Sequence, residues 1–180
     1  MQQPTIKTKH FILRPFKMSD AESVAENVNN KNIYRHMLVI PYPYTIKDAK
    51  QWLRKVINNN RKKIPENAVF AIEIDGQAVG SISINKIEQE HKAEIGYWLG
   101  EKYQGKGIMT QAIKEITKYG FRELKLCRLY AQVFSFNEGS MRVLEKNGYK
   151  FEGTLKKEVK KDNKFLDCCL FAKTRSKKIL

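Results

Sequence analysis

Apolar positions in the first third of the chain recur at helical spacing twice. Ala21, Val24, Ala25 and Val28 form one stripe, entered through Ser19 with Glu22 three residues on, the signature of a capping box. Ala49, Trp52, Leu53, Val56 and Ile57 form a second, behind Thr45 with Asp48 at the third position. A strand, "HFILRPF", precedes the first helix. Between the helices lies "IYRHMLVIPYPY". There Pro41 and Pro43 bar a regular helix, and Tyr34, Met37, Tyr42 and Tyr44 follow no core period, so the segment reads as a loop.

From Val69 the period changes to two. "VFAIEI", the Asp75-Gly76 turn and "AVGSISI" predict an antiparallel hairpin, and "AEIGYWLG" a third strand after the polar link "NKIEQEHK". Behind "YQGKGIMTQA" another helix shows its stripe at Met109, Ala112, Ile113, Ile116 and Gly120 and runs to about Leu124. "CRLYAQVF" is a strand, "NEGSMRVLEKNG" a short helix closed by a left-handed Asn147-Gly148 cap, and "YKFEGTL" with "FLDCCLFAK" a final hairpin. The order is strand, two helices, three-strand meander, helix, strand, helix and two strands, a mixed α/β sheet. With no internal repeat or linker, the 180 residues read as one domain.

Composition changes this picture little. The longest aliphatic run of the first half, Met37 to Ile40, is too short to span a bilayer, and the N-terminus lacks the apolar core of a signal peptide, so a soluble cytoplasmic protein is expected. Cys127, Cys168 and Cys169 fit neither a disulfide framework nor a zinc spacing and are read as reduced core residues. The balance of 34 Lys+Arg against 19 Asp+Glu leaves +15, which invites a polyanionic partner. The lysines are nevertheless spread along the chain, in "NNRKK", "LKKEVKKDNK" and "RSKK", beside asparagine runs that suggest general composition. The excess argues against a polycationic substrate.

The chemistry concentrates in the glycine turn. A glycine-rich turn that opens a helix leaves backbone N–H groups unpaired, and the helix dipole adds partial positive charge there. Gly105 and Gly107 let a ligand reach that backbone, and Lys106 adds a full charge, so the turn suits phosphate. Glycines at such a junction are also ordinary turn residues. The Walker spacing is absent, and a meander precedes the turn where a dinucleotide fold would place its first strand.

The whole constellation is more specific. "AEIGYWLGEKYQGKGIMTQAI", a strand, and then "NEGSMRVLEKNGYKFEG" closely resemble the GCN5-related N-acetyltransferases (GNAT superfamily), and within them the Rim-type branch that acetylates ribosomal-protein N-termini. The resemblance covers roughly Phe11 to Lys173, and the core is placed at about residues 10 to 173. It implies a mixed, mostly antiparallel twisted sheet of about seven strands with about four helices on its two faces and a V-shaped split between the central strands. Acetyl-coenzyme A is then the co-substrate, without a metal. Its pantetheine arm would pair with the edge at Tyr97, Trp98 and Leu99, and its pyrophosphate would rest on Gln104, Gly105, Lys106, Gly107, Ile108, Met109 and Thr110. The family pattern falls on Gln104, Gly107 and Met109; Met109 replaces a small residue, and its side chain is expected in the core.

Acetyl transfer needs a base for the amine and a proton for the departing thiolate. By the resemblance Glu94 is the base, although an outward edge-strand charge would look the same; Glu73 and His91 are weaker candidates. The tyrosine that many members use as acid is Leu144 here. The Rim-type pattern instead implies Asn137 holding the pantetheine and Ser140 near the sulfur, while Asn137 is equally an N-cap. The acceptor groove would be bordered by residues 32 to 44, with Tyr34, His36, Met37 and Tyr42 as candidate contacts, and by Lys156 to Lys164; a hydrophobic lid explains those aromatics equally well. The acceptor expected first is a protein N-terminus, with ribosome association. The alternatives are a small amine such as a polyamine or antibiotic, a non-catalytic acetyl-coenzyme A binder, and an RNA-binding protein. Dimers occur among similar proteins, and an exposed edge strand would permit one.

Overall fold

Paired left-handed residues close two of the hairpins. Asp75-Gly76 (φ 50° and 78°) and Asp162-Asn163 (φ 49° and 59°) both have the positive φ that matches the right-handed twist of flanking strands. They join β3 (Ala68–Ile74) to β4 (Gln77–Asn85), and β7 (Lys150–Lys161) to β8 (Lys164–Thr174). The computed structural model describes residues 3–60 and 66–176. Its other strands are β1 (Ile6–Lys7), β2 (Ile12–Pro15), β5 (Lys92–Leu99) and β6 (Arg128–Phe134). The helices are α1 (Ala21–Val28), α2 (Lys31–His36), α3 (Ile46–Asn60), α4 (Ile108–Arg122) and α5 (Glu138–Lys146).

The strands form one sheet in the order β1-β2-β3-β4-β5-β6-β8-β7. All pairs are antiparallel except β5 with β6. One face packs on α4 and α5, where Ile113, Ile116, Leu129 and Leu144 are fully buried. The other packs on α1 and α3, through Val24, Ala49, Leu53 and Trp98. Each fully buried isoleucine or leucine contributes about 1.5–3 kcal/mol, so the stripe of α4 fixes the direction in which its N-terminus points.

The described residues hold eight strands and five helices, against the seven and four expected. β1 is two residues long, too short for a period of two to register. α2 lies partly in the segment read as a loop. Asn30 caps it, accepting from the N–H groups of Asn32 and Ile33, while Glu101 accepts from both asparagine side chains at 2.6 Å. A six-residue helix has too little length for a stripe, and its stability comes from these fixed ends. The Thr45–Asp48 box forms as expected, the Asp48 carboxylate accepting from the Thr45 N–H at 2.9 Å. Gly148 (φ 76°) ends α5 with Tyr149 N–H bonded to the Leu144 carbonyl.

The Ser19–Glu22 box does not form. A 3-10 turn, Met18–Asp20, enters α1 instead, with the Asp20 carboxylate accepting from the Lys17 N–H. That carboxylate also takes both terminal nitrogens of Arg14 at 2.8 Å, and the Arg14 Nε donates to Glu73. Glu73 is thereby a structural anion, and its candidacy as a base is corrected. Cys168 and Cys169 are buried, whereas Cys127 is exposed just ahead of β6, which corrects its reading as a core residue. No helix among the described residues is long and apolar enough to cross a membrane. Arg61, Lys62, Lys63, Lys177 and Lys178, parts of two basic runs, lie outside the described residues.

Candidate functional site

The one parallel pair of the sheet is incomplete. β5 and β6 are in register only at Lys92–Arg128, Ala93–Leu129 and Glu94–Tyr130, and beyond Glu94 they part. From Ile95 to Leu99, β5 is paired on its β4 side alone. The result is the V-shaped split expected from the resemblance, with an unsatisfied backbone edge that an amide-bearing ligand can pair with, as an added strand does. The edge runs through Tyr97, Trp98 and Leu99, while their side chains point into the protein. Trp98 and Leu99 are buried on opposite faces of the sheet, and the Tyr97 hydroxyl reaches across the split to the Ser140 carbonyl at 3.4 Å. Burial pushes the Tyr97 hydroxyl up to about 12, so it stays a neutral donor.

At the open end of β5 the chain turns through Gln104 to Gly107 into α4. Gly105 and Gly107 are both left-handed, with φ of 75° and 76°. A Cβ on either would meet nothing within 4 Å, so the space above both is open. The Gln104 side chain donates to the Leu99 carbonyl at 2.8 Å, tying the turn to the strand. No side chain caps α4, whose first-turn N–H groups therefore have neither an intrahelical nor a side-chain acceptor. Met109 is buried in the core, as expected. Lys106 stands exposed, its Nζ 5.9 Å from the Tyr103 ring centroid. Unpaired donors, a helix N-terminus and open space over two glycines together suit a diphosphate.

The other arm of the split leads into α5. Asn137 accepts from the Ser140 N–H at 3.2 Å and is thus an N-cap. Ser140 lies half-buried on the first turn, with its carbonyl engaged by Tyr97. Leu144 is fully buried and supplies no acid. Tyr149, also buried, is bonded to the Thr117 hydroxyl at 2.9 Å.

Glu94 occupies the last paired position before the strands part. Its carboxylate accepts from Lys86 Nζ at 2.7 Å, its side chain 20% exposed and that of Lys86 72%. The carboxylate bond raises Lys86 above the ordinary lysine value. Glu158 of β7, exposed near the hairpin turn, adds a smaller electrostatic contribution to Lys86. Sequence reasoning did not single out Glu158, which lies exposed in a lysine-rich run. His91 is exposed and bonded to Glu88 at the closed end of β5, outside the split, which corrects its candidacy.

On the α1–α3 face lies a cavity of about 510 Å³. Its floor is polar: Ser81, Ser83 and Asn85 of β4 stand opposite Trp98, Gly96 and Glu94 of β5. The Ser83 hydroxyl donates to the Gly96 carbonyl at 3.1 Å and accepts from Asn85 at 2.9 Å. Its walls include Val24, Tyr44 and Trp52. Of the candidate acceptor contacts only Met37 lines this cavity. Tyr34, His36 and Tyr42 stand on its rim instead. Tyr34 donates to Asp162 at the β7–β8 turn, His36 packs on Phe136 at 5.6 Å, and Tyr42 lies 5.9 Å from Tyr34. α2 displaces them, turning these rings toward the hairpin and the β6–α5 loop. The polar floor was visible as the alternation Ser-Ile-Ser-Ile-Asn, a polar face on a strand whose other face is core.

The turn yields a prediction. Gly107→Val should weaken acetyl-coenzyme A binding at least tenfold by calorimetry, because a β-branched residue is strained at φ 76° and its side chain would fill the space above the N–H groups. Unchanged affinity would remove the phosphate assignment.

Comparison with known proteins places this geometry. Residues 10–150 match the family model described as an acetyltransferase (GNAT) domain. The ribosomal-protein-serine acetyltransferase of Escherichia coli K12 is 31% identical over 143 residues, 69% of this chain and 80% of that protein. The spermidine N(1)-acetyltransferase of the same organism is 29% identical over 147 residues, covering 81% and 76%. The structure of RimL, a ribosomal L7/L12 alpha-N-protein acetyltransferase in complex with coenzyme A, superposes with a TM-score of 0.86 at 22% identity, over 95% of this chain and 98% of that one. With the split and the glycine turn where that fold puts them, the chain belongs to the GNAT family and is an acetyl-coenzyme A-dependent N-acetyltransferase.

Proposed function

We propose that the acceptor is the N-terminal α-amino group of a protein, ribosomal proteins among them, which attacks the acetyl thioester directly in a ternary complex. The observation that carries this reading is the neutral floor of the acceptor cavity. Ser81, Ser83 and Asn85 can orient an amine and a peptide group, and Asp48 is the one carboxylate among the described lining residues. Asp48 is committed to Thr45, whose hydroxyl bond holds it below the usual carboxylate range. A polyamine or aminoglycoside brings further ammonium groups that need carboxylates, and the floor supplies none. The relative named for ribosomal-protein serine supports the same reading.

Basicity agrees. An α-amino group has a pKa of about 7.9 against roughly 10.4 for lysine, worth around 3.4 kcal/mol of deprotonation at neutral pH. One partly solvated carboxylate suits the easier proton. In this reading Glu94 exchanges Lys86 for the incoming ammonium and takes its proton. The coenzyme supplies the activated acetyl thioester. The β5 edge at Tyr97, Trp98 and Leu99, with Asn137, orients the pantetheine arm; residues Gln104 to Thr110 hold the diphosphate; and as the C–S bond breaks Ser140 donates to the departing sulfur, its hydroxyl restored by the second proton that the acylated nitrogen loses. A small amine is the second reading, supported by the spermidine-acetylating relative.

The test follows thiol release from acetyl-coenzyme A against short peptides with different first residues, beside spermidine and an aminoglycoside. Turnover of peptides alone is expected. Turnover of the small amines alone would replace this acceptor with the second reading.

A further inference from the structure

Two elements beside the acceptor cavity, α2, which leads into the lining residue Met37, and the β7–β8 hairpin docked on it, carry a concentration of unpaired positive charge. The β7–β8 hairpin starts beside the apex of the split, where Lys150 pairs with Ala172 and Ala172 with Tyr130, and runs out to its turn at Asp162-Asn163. There it docks on α2: Tyr34 donates to Asp162, and Lys161 Nζ sits 3.6 Å from the Tyr34 ring centroid. From α2 the rim continues to the loop before α5, with Arg35 lying 5.4 Å from the Phe136 ring centroid. A chain whose end reaches the cavity from this side passes the rim.

The rim carries Lys31 and Arg35 on α2, and Lys157, Lys160, Lys161 and Lys164 on the hairpin. Among the described residues none of these six forms an ion pair, although Lys156 on the same hairpin does, and Lys86, Lys102, Lys118, Arg128 and Arg142 do elsewhere. Four of them lie over aromatic rings: Lys31 over Tyr42 and Lys160 over Phe165 at 5.9 Å, Lys161 over Tyr34 and Arg35 over Phe136. Such contacts fix the ammonium groups in place without neutralising them. Against them stand Asp167, held by Lys156 and the Lys157 N–H, Glu158, exposed within the same run, and Asp162, engaged by Tyr34.

Inside, the cavity floor is neutral, two hydroxyls and an amide, with Lys55 and the Thr45-bound Asp48 the charged residues of its walls. The cavity therefore suits an uncharged first residue and the rim an anionic continuation. We infer that the preferred acceptor is a polypeptide with a small neutral first residue followed by several carboxylates, which the α2 and hairpin cations hold as it leaves the cavity. This deepens, and rests on, the reading of the acceptor as a protein N-terminus. Unpaired surface cations act mainly on encounter and on KM, and their effect falls with salt because the Debye length is about 8 Å at physiological ionic strength and about 3 Å at 1 M.

The test compares three peptides that begin Ser-Ala and continue with four Glu, four Gln or four Lys. At low salt the Glu peptide should have a KM about tenfold below that of the Gln peptide, with the Lys peptide poorest, and the spread should narrow in 0.5 M salt. Lys160→Glu with Lys164→Glu should abolish or invert the order, with acetyl-coenzyme A affinity by calorimetry reporting that the variant is folded. Equal KM for the three peptides would overturn the inference while leaving the N-terminal acceptor intact. No peptide turnover beside rapid spermidine turnover would overturn both. Salt-sensitive binding of a structured RNA by the same cations, with no peptide preference, would assign the rim to nucleic acid and overturn the inference.

Discussion

Glu94→Gln should lower turnover of an N-terminal peptide at pH 7 by about 100-fold or more, the range general base catalysis supplies. The amide keeps the size and the register opposite Asn85 and Tyr130 and loses only the ability to take a proton. Removing the carboxylate also frees Lys86, but that side chain is 72% exposed and hydrated, so the lost ion pair costs about 0–1 kcal/mol of stability. The kinetic loss is therefore not a folding loss in disguise. Without a base, only acceptor that is already neutral reacts, so the variant's turnover should climb about tenfold per pH unit until the α-amino pKa near 7.9. Ser140→Ala offers the contrast: turnover should fall without that steepened climb, and acetyl-coenzyme A affinity should hold. A Glu94→Gln enzyme with full turnover at pH 7 would move the base elsewhere, with Glu158 the next carboxylate to replace.

Asp20→Ala should destabilise the fold by about 3–5 kcal/mol, the cost of breaking a buried ion pair from one side. Asp20 is 2% exposed and Arg14 13%, and the pair is bidentate at 2.8 Å. The substitution leaves Arg14 with Glu73 as its remaining carboxylate and orphans the Lys17 N–H. At a urea slope of roughly 2 kcal/mol per molar, the midpoint should fall by about 2 M with the slope unchanged. A shift under about 0.5 M would mean that water replaces the carboxylate readily. The consequence reaches the site, because this pair anchors the entry to α1, whose Val24 and Val28 wall the acceptor cavity. Milder denaturant should therefore raise the acceptor KM before it unfolds the wild-type core.

Local chemistry was legible from the chain. Asp75-Gly76, Thr45 with Asp48, Asn147-Gly148 and the stripe of α4 each depend on residues within a few positions of one another, and all form. So does the glycine turn, because a left-handed residue at the start of a helix is a property of Gly107 itself. The failures have a common cause in distance along the chain. Asp20 was available to cap in place of Ser19 because Arg14 and Glu73 fix it, and Glu73 comes from a strand 59 residues beyond Arg14. α2 exists because Asn30 and Asn32 meet Glu101, and no window of a few residues contains that contact.

The same reason separates the halves of the site. The sequence by itself determined the left-handed glycine turn before α4, the polar face of β4 and, through resemblance, the family. A period of two says which side of a strand is buried, and it does not say which strand lies alongside or where a ladder stops. That β5 and β6 pair through Glu94 and then part, leaving Tyr97 to span the gap to Ser140, is decided by the packing of α4 and α5 against the sheet. The tertiary structure alone placed Ser83 and Asn85 in the lining of the cavity and brought the hairpin turn against α2, because those residues meet only when the faces of the sheet are covered.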